Sequence, residues 1–193
     1  MDFASHNSVA VLSFAAGCAY PRLARAVLAE LADLLREVRV SGLFRGVVIA
    51  ASPLSFATGA SIEEVAALEG AAAREFARSG QILFNQIEHF PLPIIAAIRG
   101  YCLGGGLDLA LACRARVAAY DACFSYPGAS LGLITGWGGT QRLTRLICRA
   151  AATQLMLTAE RIPASQALTL GLVDELVPVQ DLLEASARRA GAR

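Results

Sequence analysis

Two glycine-punctuated turns, each entered from a short apolar run, constrain this chain more than any other feature. The first is Phe56-Ala57-Thr58-Gly59-Ala60-Ser61, after Gly46-Val47-Val48-Ile49-Ala50. The second is Gly100-Tyr101-Cys102-Leu103-Gly104-Gly105-Gly106-Leu107-Asp108, after Ile94-Ile95-Ala96-Ala97-Ile98. Both read as strand, tight turn, helix start. Glycine lets backbone N–H groups approach a ligand closely, and a helix N-terminus adds a field that favours negative charge. Two such turns meeting at one point would make an oxyanion hole, and so imply chemistry through an enolate or a tetrahedral anion.

Composition narrows the field. The 193 residues suit one domain, 1–193, with room for a real core. Net charge is +1, which leaves no electrostatic footprint for nucleic acid. All 17 basic residues are Arg and none is Lys, so Schiff-base chemistry and Lys-based phosphate binding are excluded. Cys18, Cys102, Cys113, Cys123 and Cys148 form no C-x-x-C pair, and only His6 and His89 could join them as soft ligands. They read as small buried hydrophobes of a reduced cytoplasm, with no metal site. Met1 to His6 lacks the basic start and apolar stretch of a signal peptide. The most apolar stretch, Pro91 to Ala112, is broken by Arg99, Asp108 and four glycines, which argues against a membrane span.

The pattern alternates strands and helices. Strands are predicted at Val9–Phe14, Gly46–Ala51, Ile94–Ile98, Arg116–Ala119 and Leu172–Val177. Helices are predicted at Arg22–Val38, Ala71–Glu88, Gly105–Cys113, Thr140–Ile147, Ala151–Leu157 and Asp181–Arg189. Ser61 with Glu64 reads as a capping box, and Ser165 as the cap of a short helix ending at Gly171. Such alternation indicates α/β architecture with mostly parallel strands. The triple glycine is not a dinucleotide fingerprint, because no acid ends a following strand about 20 residues on. It is not a Walker loop either, which needs a Lys.

Four segments carry a resemblance. Phe56 to Ser61 resembles F-x-A-G-A-D. Pro93 to Asp108 resembles P-x-I-A-A-I-x-G-x-x-x-G-G-G-x-E. Leu131 to Leu143 resembles L-G-x-x-P-G-x-G-G-T-Q-R-L. Leu157-Thr158-Ala159, with Ile162, Ala164, Ala167 and Gly171-Leu172-Val173, resembles the later signature of the same family. In this order and spacing they resemble the crotonase superfamily, also called the enoyl-CoA hydratase/isomerase family. The resemblance implies a crotonase-like fold of repeated ββα units and an acyl-CoA thioester as substrate, with no metal or redox cofactor. It also implies a homotrimer or a hexamer built as a dimer of trimers. The N–H groups of Ala60 and Gly105 would hold the thioester oxygen. Ala57, Gly59, Ser61, Ile62, Gly104, Tyr126, Gly128 and Trp137 would line the substrate site.

The chain departs from the family pattern at its carboxylates. Hydratases of the family place two glutamates around one water. The first position is Asp108 here, one methylene short. The second ends F-G-x-P-E, but this chain reads Phe124-Ser125-Tyr126-Pro127-Gly128 and carries none. Asp108 has two readings: a lone acid/base beside the thioester, or a structural carboxylate near a helix start. Tyr126 reads as a packed aromatic or a proton donor, Glu63 and Glu64 as helix-start charges, Trp137 as an apolar wall and His89 as a helix-end residue. Ala15 to Arg22 replaces an N-R-P-like turn. The chain stops soon after Arg189, so the C-terminal helical region of the family is expected to be shortened. Three functions remain open: a hydratase/isomerase-type enzyme using Asp108, a decarboxylase-like enzyme relying on the oxyanion hole alone, and a non-catalytic acyl-CoA binder or assembly subunit.

Overall fold

The computed structural model of the chain describes residues 1–15 and 17–192. Ala16, in the stretch that replaces the N-R-P-like turn, and Arg193 lie outside the described residues.

A hairpin opens the chain: β1 (Asp2–His6) and β2 (Val9–Ser13) pair antiparallel. Its two-residue turn places Asn7 and Ser8 at φ 50° and 64°, the left-handed values that match strand twist. Helix α1 (Arg25–Ser41) buries Leu28, Leu31, Leu35 and Val38, one stripe at helical spacing, and ends on Gly42 in a left-handed conformation.

Three ββα units follow. The first is β3 (Gly46–Ala50), β4 (Ser55–Ala57) and the helices α2 (Ile62–Ala66) and α3 (Gly70–Glu88). The second is β5 (Ile94–Ile98), β6 (Tyr101–Leu103) and α4 (Gly105–Ala112). The third is β7 (Ala115–Ala119), β8 (Cys123–Ser125), a 3-10 turn over Pro127–Leu131 and α5 (Gly139–Leu146). Helix α6 (Arg149–Thr158), β9 (Ile162–Pro163), α7 (Ala164–Thr169), β10 (Glu175–Val177) and α8 (Leu182–Gly191) complete the chain.

In each unit the first strand joins a large sheet and the second a small one. The large sheet runs β1-β2-β3-β5-β7-β10 and is parallel except for β1. The small sheet runs β4-β6-β8-β9 and is parallel except for β9. Both faces of the large sheet are covered, as parallel sheets require. Val47, Ile49, Ile94, Ala96 and Ile98 face the main core, and Val48, Ile95, Ala97 and Val117 face Leu182, Ala185, Ala187 and Ala190 of α8.

Most predicted elements stand within a few residues of where the pattern puts them, and three points differ. The Ser165 cap is replaced by Pro163, so Ser165 lies in the first turn of α7. The last strand shortens to Glu175–Val177, leaving Leu172 and Val173 as buried loop residues. Of the five cysteines, all free, Cys102 and Cys113 are buried, Cys123 is half-buried, and Cys18 and Cys148 are exposed.

Candidate active site

The two glycine turns end at the C-terminal edge of the small sheet, where β4 and β6 lie side by side in parallel. Their neighbourhood leaves no room for side chains. A Cβ on Gly106 would strike the Ala57 backbone, and one on Gly59 would sit 3.2 Å from the Gly105 nitrogen. A Cβ on Gly105 would lie 3.4 Å from the Ala60 nitrogen. The turns therefore bring the Ala60 and Gly105 amide nitrogens into one neighbourhood. Gly105 is the first residue of α4, so its N–H has no partner within the helix. Among the described residues neither amide donates a hydrogen bond.

The surrounding amides are committed. Gly104 N–H donates to Ser125 O at 2.9 Å, and Thr58 N–H to Pro21 O at 2.8 Å. Leu23 N–H donates to Gly59 O at 2.8 Å. Ser61 caps α2 by accepting from Glu64 N–H at 3.4 Å, while its hydroxyl donates to Glu63 at 2.8 Å. Only half of the expected capping box forms, because the Glu64 carboxylate accepts instead from Arg25 N–H at 3.2 Å. Its own backbone N–H, then Arg22 and Ser61, hold the Glu63 carboxyl down to about 2. Both glutamates thus serve the helix start. Ile62 is exposed and its side chain faces away from the core.

Asp108 sits one helical turn beyond Gly105 on the same face of α4. It is wholly buried. Tyr126 donates to Oδ1 at 2.8 Å, and the Thr135 hydroxyl and the Trp137 N–H (3.3 Å) donate to Oδ2. Gly139 packs directly on the carboxylate and on the Tyr126 hydroxyl, with no room for a Cβ. Burial raises the Asp108 carboxyl above its ordinary value, and these three donors, with Arg142, pull it back in part. Burial, followed by the Asp108 charge, pushes the Tyr126 hydroxyl well up. Thr135 is half-buried, so its hydroxyl is the outer end of this network. Gly128 lies on the 3-10 turn beyond Tyr126, where a Cβ would make ordinary 3.4 Å contacts with Leu133.

Trp137 completes the cluster. Its ring packs on Gly105 and on Gly80 of α3, both too close for a Cβ. Phe76 and Phe84 flank it, with ring centroids at 5.2 and 5.6 Å. The segment that carries it is pinned at three backbone atoms. Gln81 Nε2 donates to Gly136 O at 2.7 Å, Arg142 Nη1 donates to Trp137 O at 3.0 Å, and Trp137 N–H reaches Asp108. A cavity of about 370 Å³ between the ends of α3, α4 and α5 is lined by none of the candidate residues.

The structure thus gathers Ala57, Gly59, Ala60, Gly104, Gly105, Asp108, Tyr126 and Trp137, with Ile62 exposed at the start of α2, directly after the first turn. Two unpaired amides at the paired glycine turns can receive an oxygen that gains negative charge, and a buried carboxylate whose pKa is raised is a stronger proton acceptor than an exposed one. A family model for enoyl-CoA hydratase/isomerase matches residues 4–192. The chain belongs to the enoyl-CoA hydratase/isomerase family. It is 41% identical over 165 residues to the fatty acid oxidation complex subunit alpha of Shewanella halifaxensis, covering 83% of this chain and 23% of that one. The chain thus spans about a quarter of that relative. Among solved structures it superposes on an enoyl-CoA hydratase from Bacillus anthracis with TM-score 0.91 and 34% identity, covering 98% of this chain and 74% of that one. An enoyl-CoA hydratase from Thermoplasma volcanium gives TM-score 0.93 at 27% identity, over 100% of this chain and 77% of that one. The crotonase-like fold expected from the resemblance is therefore the fold observed.

Thr135, Gly80 and Gly139 are the residues that sequence reasoning missed. Thr135 stands where the family pattern has Pro, a departure that marks a new hydroxyl. Gly80 falls midway between Phe76 and Phe84 at four-residue steps, a spacing that signals a seat for a large ring on that helix face.

Proposed function

We propose that the chain processes an acyl-CoA thioester, with the Ala60 and Gly105 N–H groups holding the thioester oxygen while an enolate develops. The observation that carries this reading is the pair of unpaired amides brought together by two glycine turns. Main-chain donors already in place need no reorganisation as charge grows, and one such donor is worth about 3–4 kcal/mol to the transition state. CoA enters as substrate; no metal or redox cofactor takes part in this reading.

Asp108 is the acid/base. It takes a proton from one carbon, the electron pair moves into the thioester as a dienolate, and the same group returns the proton to another carbon. The Thr135 hydroxyl, half-buried and bonded to Oδ2, connects the enclosed carboxylate with the substrate side. Hydration demands more, because water must be deprotonated while the α-carbon is protonated, and Gly128 supplies no second carboxylate. General acid–base groups contribute about 10²–10⁴-fold each. Crotonyl-CoA hydration is therefore expected to be slow, and double-bond isomerisation to be the better reaction.

A second reading follows from the complete burial of Asp108 under three donors. There the carboxylate anchors the Thr135–Trp137 segment, and the oxyanion hole alone supports a decarboxylation or merely holds the ligand. The test is kcat/KM for hydration, isomerisation and malonyl-type decarboxylation in the native chain, in Asp108→Ala and in Gly128→Glu. Loss of isomerisation in Asp108→Ala and gain of hydration in Gly128→Glu are expected. Robust native hydration that survives Asp108→Ala would sink the acid/base assignment.

A further inference from the structure

We infer that Trp137 sets the acyl-chain length this site accepts, closing it to all but short acyl thioesters. The inference rests on the acyl-CoA reading above and deepens it. An acyl chain whose carbonyl oxygen lies at Ala60 and Gly105 must carry its α-carbon toward Asp108 if that carboxylate is to exchange a proton with it. Gly105 and Asp108 are one turn apart on the same face of α4, so the chain has to run along that face. Trp137 occupies it. The ring packs on Gly105, and the backbone N–H of the same residue donates to Asp108 Oδ2 at 3.3 Å.

The indole is seated firmly. Its position depends on Gly80, a glycine in the interior of a 19-residue helix, where alanine would favour the helix. A Cβ there would overlap the ring, so the missing side chain is what admits the indole. Phe76 and Phe84 close on it from either side, and Gln81, Asp108 and Arg142 hold the backbone of its segment. Trp137 is 3% exposed. A side chain so placed cannot swing aside without breaking the contacts on both helices. A longer acyl chain meets the ring, and hydrophobic pockets discriminate roughly 10-fold or more for each methylene that does not fit.

The experiment measures Kd for CoA, acetyl-CoA, butyryl-CoA and octanoyl-CoA by calorimetry in the native chain, Trp137→Phe and Trp137→Ala. Trp137 is the sole tryptophan, so native emission reports directly on its contact with ligand. The native chain is expected to bind acetyl-CoA and butyryl-CoA at least about tenfold more tightly than octanoyl-CoA. The short thioesters should also change tryptophan emission more than CoA does. Trp137→Ala should erase or invert the preference, with Trp137→Phe between. If Trp137→Ala fails to fold, the native series, its emission and Trp137→Phe decide the matter. Equal native affinity for octanoyl-CoA and acetyl-CoA, or the same ratio in all three proteins, overturns the wall and leaves the acyl-CoA reading standing. Failure of the native chain to bind CoA and every thioester overturns that reading, and the wall with it.

Discussion

Asp108 holds its proton more tightly in the folded chain than an exposed aspartate does, because burial outweighs the pull of its donors. The sign of its effect on stability follows. Below the ordinary value of 3.8 both folded and unfolded chains are protonated and the contribution is complete. As pH rises toward the folded value, the unfolded chain releases the proton first and stability drains away. Asp108→Asn removes the ionisation, so its unfolding free energy is expected to be flatter with pH above about 4. Urea denaturation at a series of pH values checks this, and an unchanged slope would place the proton elsewhere. Thr135 acts on the same group from outside. Thr135→Val deletes a donor that lowers the Asp108 pKa, so the acid limb of the isomerisation rate should move to higher pH and Thr135→Ser should restore it. Glu63 behaves oppositely: held down to about 2 by its backbone N–H, Arg22 and Ser61, it stabilises the chain down to strongly acid pH.

Helix α3 shows how an element can be bent to the needs of a site. Its interior glycine gives up helix propensity to seat Trp137. Gly80→Ala returns about 1 kcal/mol of propensity but overpacks the ring at about 1–3 kcal/mol. A net loss of stability is expected, read as a lower urea midpoint, and a gain would mean that the indole shifts freely. The same helix shows what the sequence made legible. Its length was readable from Ala71 to Glu88 because apolar residues recur at helical spacing over five turns and Pro91 and Pro93 follow. The buried strands β3 and β5 were readable as apolar runs. The small sheet was not: β4, β6 and β8 have three residues each, too few for any periodicity. β1 escaped notice because Asp2–His6 is polar and mostly exposed. At the site, the glycine turns and Asp108 were legible through their motifs. The hydroxyl of Thr135 and the seat at Gly80 were not, because each acquires meaning only from a partner more than 25 residues away.

Across the whole molecule, apolar surface remains outside. Leu131, Ile134 and Leu157 are 61%, 72% and 71% exposed, Leu131 on the 3-10 turn that packs against α6 and Leu157 on α6 itself. Together with few charges, this supports the proposal that the chain associates as a trimer or a dimer of trimers. Light scattering at micromolar concentration should return a multiple of three times 20.2 kDa, and a clean monomer mass would rule the proposal out. No helix among the described residues is long and apolar enough to cross a membrane. Helix α8 lies across the middle of the large sheet, with the Ala190 backbone pressed where a side chain on Gly46 would stand. β3 leaves the ribosome early, yet its outer face cannot be covered until residue 190 has emerged. At ordinary synthesis rates that interval is on the order of ten seconds. Over that interval, a nascent chain carries bare strand faces of valine, isoleucine and alanine, and its yield in a cell will depend on what shelters them.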